Sequence, residues 1–313
     1  MTAQPIVSII TPVFNGEKYI EETIYSVLEG GIEVEFEYIV LDDGSVDSTL
    51  EIVRRFEDRV RVFSHANIGE SETVNLGIQR AKGRYILVLS ADDPLLTKDL
   101  VAQAVDKLNA DINLVAVYPD WKIISADGLD LEFVISPEYS EKIMIGENRC
   151  LPGPGVVFRR DAAIEIGGRR KNWKFVGDYD FWLRLSRLGR IERLPGVLAQ
   201  WRNSAESTSV SQRGNLMARE RISVIENFVL ENKLTPALQT LAVSNSYILA
   251  ARLVFFEKAI PARRYLAKAF YVRRGWPSQA KIHIVLYIIF LPASRIFNLP
   301  LLRLMNWRRR NEL

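Results

Sequence analysis

Val88-Leu89-Ser90-Ala91-Asp92-Asp93 runs from an apolar strand into two adjacent carboxylates, and the rest of the chain is best understood outward from it. Two neighbouring negative charges repel unless a cation or a proton lies between them. A second pair, Asp42-Asp43, closes the earlier apolar run Phe36 to Leu41. One such pair is equally a capping turn ahead of a helix, where Asp is favoured. Two pairs, each at a strand end, point to a metal and a phosphorylated ligand over the C-terminal edge of a parallel sheet.

Upstream, Val7 to Thr11 has the composition of a buried strand and is broken by Pro12-Val13-Phe14-Asn15-Gly16. Glu17 to Leu28 then places Ile20, Ile24, Val27 and Leu28 at helical spacing, closed by Gly30-Gly31. After Asp42-Asp43-Gly44-Ser45, Asp47 or Ser48 can cap a helix over Thr49 to Phe56. A third strand over Arg59 to Ser64, the turn Asn67-Ile68-Gly69, a helix over Ser71 to Ala81 and a fourth strand over Tyr85 to Leu89 return to the opening stretch. This alternation predicts a doubly wound, mostly parallel sheet flanked by helices, with ligands at the strand C-terminal ends.

Downstream, a helix over Thr97 to Asn109 and a strand over Asn113 to Tyr118 continue the pattern. Residues 120–155 are rich in turn formers and break it, which suits an acceptor-facing wall. A strand over Val156 to Arg159 and a helix over Asp161 to Ile166 follow. After a basic loop comes Gly177-Asp178-Tyr179-Asp180-Phe181-Trp182, an acidic helix start. Its aspartates either complement the helix dipole or act in chemistry, and spacing alone leaves both open.

At 313 residues, 48% hydrophobic and 25% charged, the chain is long enough for one large domain and an appendage. One cysteine, Cys150, excludes an internal disulfide framework, and two histidines leave little for a zinc site. Oxygen ligands and a hard metal are expected. Met1 to Pro5 carries no basic run and the apolar stretch behind it is too short for a secretory signal, so a cytoplasmic location is expected. No Gly-x-Gly-x-x-Gly follows the first strand, which argues against a dinucleotide oxidoreductase.

The ordered motifs resemble those of family 2 glycosyltransferases, inverting enzymes of the GT-A fold. The resemblance runs from about Pro5 to Ser209 and rests on Val7 to Asn15, Asp42 to Thr49, Asn67-Ile68-Gly69 with Asn75-Leu76-Gly77, Ser90 to Asp93, and Gly177 to Asp180. It implies a Rossmann-like sheet over residues 1–210 and transfer of a sugar from a nucleoside diphosphate to a hydroxyl of a glycan or lipid-linked glycan. In site terms it implies that Pro12, Phe14, Asp42, Asp43, Asn67, Gly69 and Asp92 form the donor nucleotide site, with Asp43 hydrogen-bonding the base. It further implies that Asp93, then Asp92, holds Mg²⁺ or Mn²⁺, and that Asp178 is the catalytic base.

Two departures stand out. Ser90 occupies the place where the family pattern begins with a further Asp, and Arg202 is followed by Asn203 and Ser204 where the family often has a His. Arg202 is then either a phosphate partner or a surface residue. These departures keep a second reading open, a non-catalytic sugar-nucleotide binding module on the same fold.

The C-terminal part, 211–313, has a different character. Asn215 to Leu230 and Leu238 to Phe270 are predicted helical, with Leu249, Leu253, Phe256 and Ile260 as one apolar stripe. Arg252 to Arg310 holds thirteen Lys or Arg against one acidic residue, so it carries +12 and the remaining chain −9. Ile282 to Leu291 is apolar but shorter than the roughly 20 residues a spanning helix needs. Basic residues around it fit a peripheral segment on an anionic membrane surface, and long aliphatic runs argue against nucleic acid.

Overall fold

The computed structural model describes residues 4–203, 214–254 and 259–273. The chain divides into two compact units, residues 1–212 and 213–313. In the first, β1 (Val7–Val13), β2 (Phe36–Asp42), β3 (Arg61–Ser64) and β4 (Tyr85–Val88) pair in parallel in the order β3-β2-β1-β4. Helices α1 (Ile20–Leu28), α2 (Thr49–Arg54) and α3 (Glu70–Arg80) make the crossovers, and α4 (Asp99–Ala110) follows β4. This is the alternation predicted from the sequence.

The sheet then departs from it. β5 (Leu114–Ser125) does not pair with β4, because β7 (Val157–Arg159) lies between them, antiparallel to both. β5 also carries β6 (Asp130–Val134) as an antiparallel hairpin and the long β8 (Arg190–Asn203) in parallel. The expected loop over 120–155 is therefore partly strand: β5 runs on through Trp121 to Ser125 and turns at Gly128, whose φ of 82° favours glycine. Neither β6 nor β8 was legible beforehand. β8 carries Pro195 and Gly196 inside a strand, the residues that normally argue against one.

Pro12 does not break β1 either. The carbonyl of Ile10 points at β4 and accepts from Leu89 N (2.9 Å), and Pro12, two residues on, points the same way. The β1–β4 pairing ends at Ile10, so the missing N–H of Pro12 leaves no partner behind.

Apolar alternation places Val7, Ile9 and Val13 on one sheet face against Ile20, Ile24 and Val27 of α1 and Leu100, Val101, Ala104 and Leu108 of α4. On the other face, a side chain at Gly77 would come within 2.6 Å of Ile10 Cγ2, so glycine is what lets α3 lie close on the sheet. Phe158, Phe181 and Trp182 pack edge to face with centroids 4.8–5.5 Å apart, tying β7 to α6 (Gly177–Leu185); a short α5 (Arg160–Glu165) precedes it.

The described residues of the second unit form helices: α7 (Gly214–Glu231), α8 (Pro236–Val254) and α9 (Ala259–Val272). The single helix expected over 238–270 is two helices. The fully buried side of α8 is Tyr247, Ala250, Ala251 and Val254, where small alanines allow close approach to Ala262, Leu266 and Ala269 of α9; of the expected stripe, Leu253 packs against this cluster from the side. Phe256, the side chain of Ile260, and the apolar and basic runs beyond residue 273 lie outside the described residues. Among the described residues, no helix is long and apolar enough to cross a membrane.

Candidate active site

The ends of β1 and β2 are laced together by their loops. Asn15, at a left-handed φ of 52°, donates its N–H to Ser45 Oγ (2.9 Å), and its Oδ1 accepts from Val46 N (2.9 Å). Gly16 N donates to Thr49 Oγ1 (2.8 Å), while Asp47 accepts from Glu17 N and Thr49 N at 3.2 and 3.0 Å. Asp47 is thus the cap of α2, and Ser48 makes no side-chain capping bond. The two motifs quoted from the sequence form one structure.

Within it the two aspartates have separate sets of partners. Asp42 is buried and accepts from Ser45 N (3.1 Å) and Ser64 Oγ (2.8 Å), which pins the end of β2 to β3. Asp43 is also buried, and its two oxygens accept from Ile68 N (2.7 Å) and Gly69 N (2.9 Å). It holds the turn that starts α3. Gly69, with φ 90°, supplies the backbone angle that turn needs. Phe14, by contrast, is 51% exposed and Pro12 half-buried, so they are open to a ligand above the sheet edge. Asn67 is exposed on the same turn.

At the end of β4, Asp92 is half-buried while Asp93 is only 4% exposed. Asp93 Oδ1 accepts from the backbone N–H of Arg202 (2.6 Å). Burial, then the neighbouring charge of Asp92, pushes the Asp93 carboxyl up to about 7. Asp93 faces inward, and Asp92 is the more accessible of the pair. Among the described residues no three acidic, His or Cys side chains converge as a metal cage. One accessible carboxylate nevertheless fits the donor set of a Mg²⁺-like ion, which takes one or two carboxylates and fills its shell with phosphate oxygens and water.

The remaining wall comes from α6. Asp178 and Asp180 are two residues apart and so leave the helix on different sides. Asp180 is buried and accepts from Arg184 Nε (2.8 Å), whose guanidinium also donates to the carbonyls of Ile166 and Gly168 (both 2.7 Å). Asp180 is a structural anchor. Asp178 is exposed in the first turn, with Oδ1 accepting from Tyr179 N (2.7 Å), where the helix dipole favours negative charge.

α3 links this helix to the turn held by Asp43. The Asn75 side chain donates to Arg169 O (2.8 Å) and accepts from Arg169 N (2.7 Å), and a Cβ at Gly177 would lie 3.1 Å from Ser71 Oγ. The turn held by Asp43 and the helix bearing Asp178 therefore sit on one support. The exchange of two bonds between Asn75 and a residue 94 positions away has no local signal in the sequence. Arg202 is likewise neither a surface residue nor open to a phosphate. It is 2% exposed and its guanidinium faces Asp92 O, Ala126 O and Glu22.

The model for "Glycosyl transferase family 2" matches residues 8–167, which include both carboxylate loops and the α3 support. The chain belongs to glycosyl transferase family 2. It is 32% identical over 202 residues to an uncharacterised glycosyltransferase of Rickettsia typhi, with 61% of each chain covered. It is 31% identical over 194 residues to the putative teichuronic acid biosynthesis glycosyltransferase TuaG of Bacillus subtilis, covering 59% of this chain and 74% of that one. The chain thus spans less than two thirds of the Rickettsia relative's length. S. aureus TarS 1–349, solved with UDP-GlcNAc, superposes with a TM-score of 0.67 at 18% identity, covering 85% of this chain and 81% of that one. At that identity the likeness is one of fold, and it agrees with the family's GT-A architecture: a mixed, mostly parallel sheet flanked by helices.

Proposed function

We propose that this family 2 member transfers a sugar from a nucleoside diphosphate to a hydroxyl of a glycan or lipid-linked glycan, with inversion, in the assembly of a surface polysaccharide. The catalytic unit is residues 1–210, with 211–313 as a basic appendage. The observation that carries this reading is the shared support of α3, which joins the Asp43-held nucleotide turn to the exposed Asp178. Pro12, Phe14 and Asn67 contact the nucleotide from the open side of that turn; Asp42 and Asp43 act from beneath by shaping it. Asp92 takes the place nearest the diphosphate, and Asp93 supports it from the interior. With Mg²⁺ or Mn²⁺ bound beside Asp92, the negative charge growing on the departing diphosphate would be neutralised. Asp178 accepts the proton of the attacking hydroxyl, and direct displacement inverts the anomeric centre. Similarity to TuaG, a putative teichuronic acid biosynthesis glycosyltransferase, supports a polysaccharide acceptor.

A thermal-shift panel of nucleoside diphosphates with Mn²⁺, followed by donor turnover with Mn²⁺ or a chelator, tests this. Stabilisation by one nucleotide and turnover that stops with the chelator are expected. A ligand at 100 times its Kd adds about 2.7 kcal/mol, which is easily seen as a raised Tm. Stabilisation without any turnover would favour the non-catalytic binding module.

The appendage supports a peripheral position on the inner face of the plasma membrane. Residues 259–273 contain four Lys or Arg and no acid, and α9 exposes Arg264, Lys268, Phe270 and Tyr271. Cations beside aromatics suit an anionic lipid surface, each worth about 1 kcal/mol there. The protein is expected to sediment with vesicles of phosphatidylglycerol and not of phosphatidylcholine alone. Reversing Arg264 and Lys268 to Glu is expected to weaken that binding by about tenfold or more. Equal sedimentation with both lipids contradicts the assignment.

A further inference from the structure

Arg202 lies next to the last residue of β8 and is buried among several partners. Its Nε donates to Asp92 O (2.8 Å), one terminal nitrogen to Ala126 O (3.0 Å) and the other to Glu22 Oε2 (2.7 Å). The guanidinium carbon lies 4.6 Å from the centroid of the Tyr19 ring. Its own backbone N–H closes on Asp93 Oδ1 (2.6 Å), and two residues earlier Gln200 Nε2 donates to Pro94 O (2.9 Å). One strand thus seizes the 92–94 segment at the carbonyl of Asp92, the carboxylate of Asp93 and the carbonyl of Pro94.

A buried guanidinium is retained at a desolvation cost of several kcal/mol and is stable only when its donors are met. Here two of the acceptors are main-chain carbonyls, so the cation binds the shape of the loop and not its side chains. The planar fork sets three directions at once, which a Lys cannot reproduce. Glu22, half-exposed on α1, is the carboxylate that pairs directly with the guanidinium, and Asp93 adds a second negative group nearby.

We propose that Arg202 is a positioning residue: through the Asp92 carbonyl, and with Glu22 as counter-ion, it sets the direction in which the Asp92 carboxylate meets the metal-bound diphosphate. This rests on the donor-site reading given above. It also accounts for a family member without the usual acidic residue at Ser90. With one accessible carboxylate, the orientation of that carboxylate carries more of the site's affinity.

The test is calorimetric titration of UDP, with GDP as the alternative, into the full chain in 1 mM Mn²⁺ (about the usual working range), alongside thermal unfolding. Arg202→Lys keeps the charge and loses the fork; Glu22→Ala keeps the fork and loses the counter-charge, and thermal unfolding reads how much stability each variant gives up. Kd is expected to rise about tenfold for Arg202→Lys and about threefold for Glu22→Ala, with the number of sites near one. The double variant is expected to fall short of the product of the two effects, because both act through one contact. A purely structural Arg202 predicts the opposite split, a lowered Tm and fewer competent sites with Kd unchanged. Wild-type Kd in both variants overturns the proposal, and Glu22→Ala alone decides it if Arg202→Lys does not fold. Wild-type protein that binds neither nucleotide removes the donor site, and the proposal with it.

Discussion

Asp178→Asn is expected to lower sugar transfer by about 10²- to 10⁴-fold while leaving nucleoside-diphosphate affinity within about twofold of wild type. The amide keeps the size and the hydrogen bond that Oδ1 accepts from Tyr179 N, but it cannot take a proton. α6 itself is held by Asp180 and Arg184, which the substitution does not touch. The control is Asp180→Asn, which removes the charge facing Arg184 and Arg170 and is expected to act on stability first. Measurement of single-turnover transfer and of nucleotide Kd on the same preparations separates chemistry from binding. Transfer at the wild-type rate in Asp178→Asn would remove that residue from the role of base.

Asp120→Ala is expected to destabilise the first unit by about 3 kcal/mol or more, the largest stability effect we anticipate. Asp120 accepts from Arg193 Nε (2.8 Å) and Nη2 (2.6 Å), from Ser136 N (2.9 Å) and from Gly196 N (3.1 Å). Burial opposes its ionisation, but Arg193 and the two backbone N–H groups outweigh that and hold the carboxyl below its usual range. Its folded pKa being lowered, the stabilisation is present above the unfolded value, near 3.8, and is lost as pH falls through the folded one. The gap between wild type and variant in urea unfolding is therefore expected to be full at pH 7 and to shrink below about pH 4. A gap that does not change with pH would show that the loss is one of packing alone.

Much of the first unit could be worked out from the sequence because its crossovers are local. Each βα unit through Tyr85–Val88 carries its own period and its own Gly or Asp punctuation within about thirty residues. The second half of the sheet is not local. β7 enters between β4 and β5 with only Val157–Arg159, a run too short to announce its direction, and β8 is disguised by Pro195-Gly196. At the candidate site, the pattern marks the carboxylate loops but not which member of each pair faces inward. Whether Asp42, Asp43 and Asp93 face inward or toward a ligand is set by Ser64, the 68–69 amides and Arg202, which lie 22, 25–26 and 109 positions away. Asp178 and Asp180 could have been separated, since two positions on a helix never share a side.

The Asp43 carboxylate grips the 67–69 turn through two amide hydrogens, those of Ile68 and Gly69. Every residue except proline presents that same hydrogen, so Asn67 and Ile68, both exposed, can be exchanged without loosening the turn. Positions 67 and 68 can thus vary while the frame stays unchanged, and a proline at position 68 is the replacement that this frame does not tolerate.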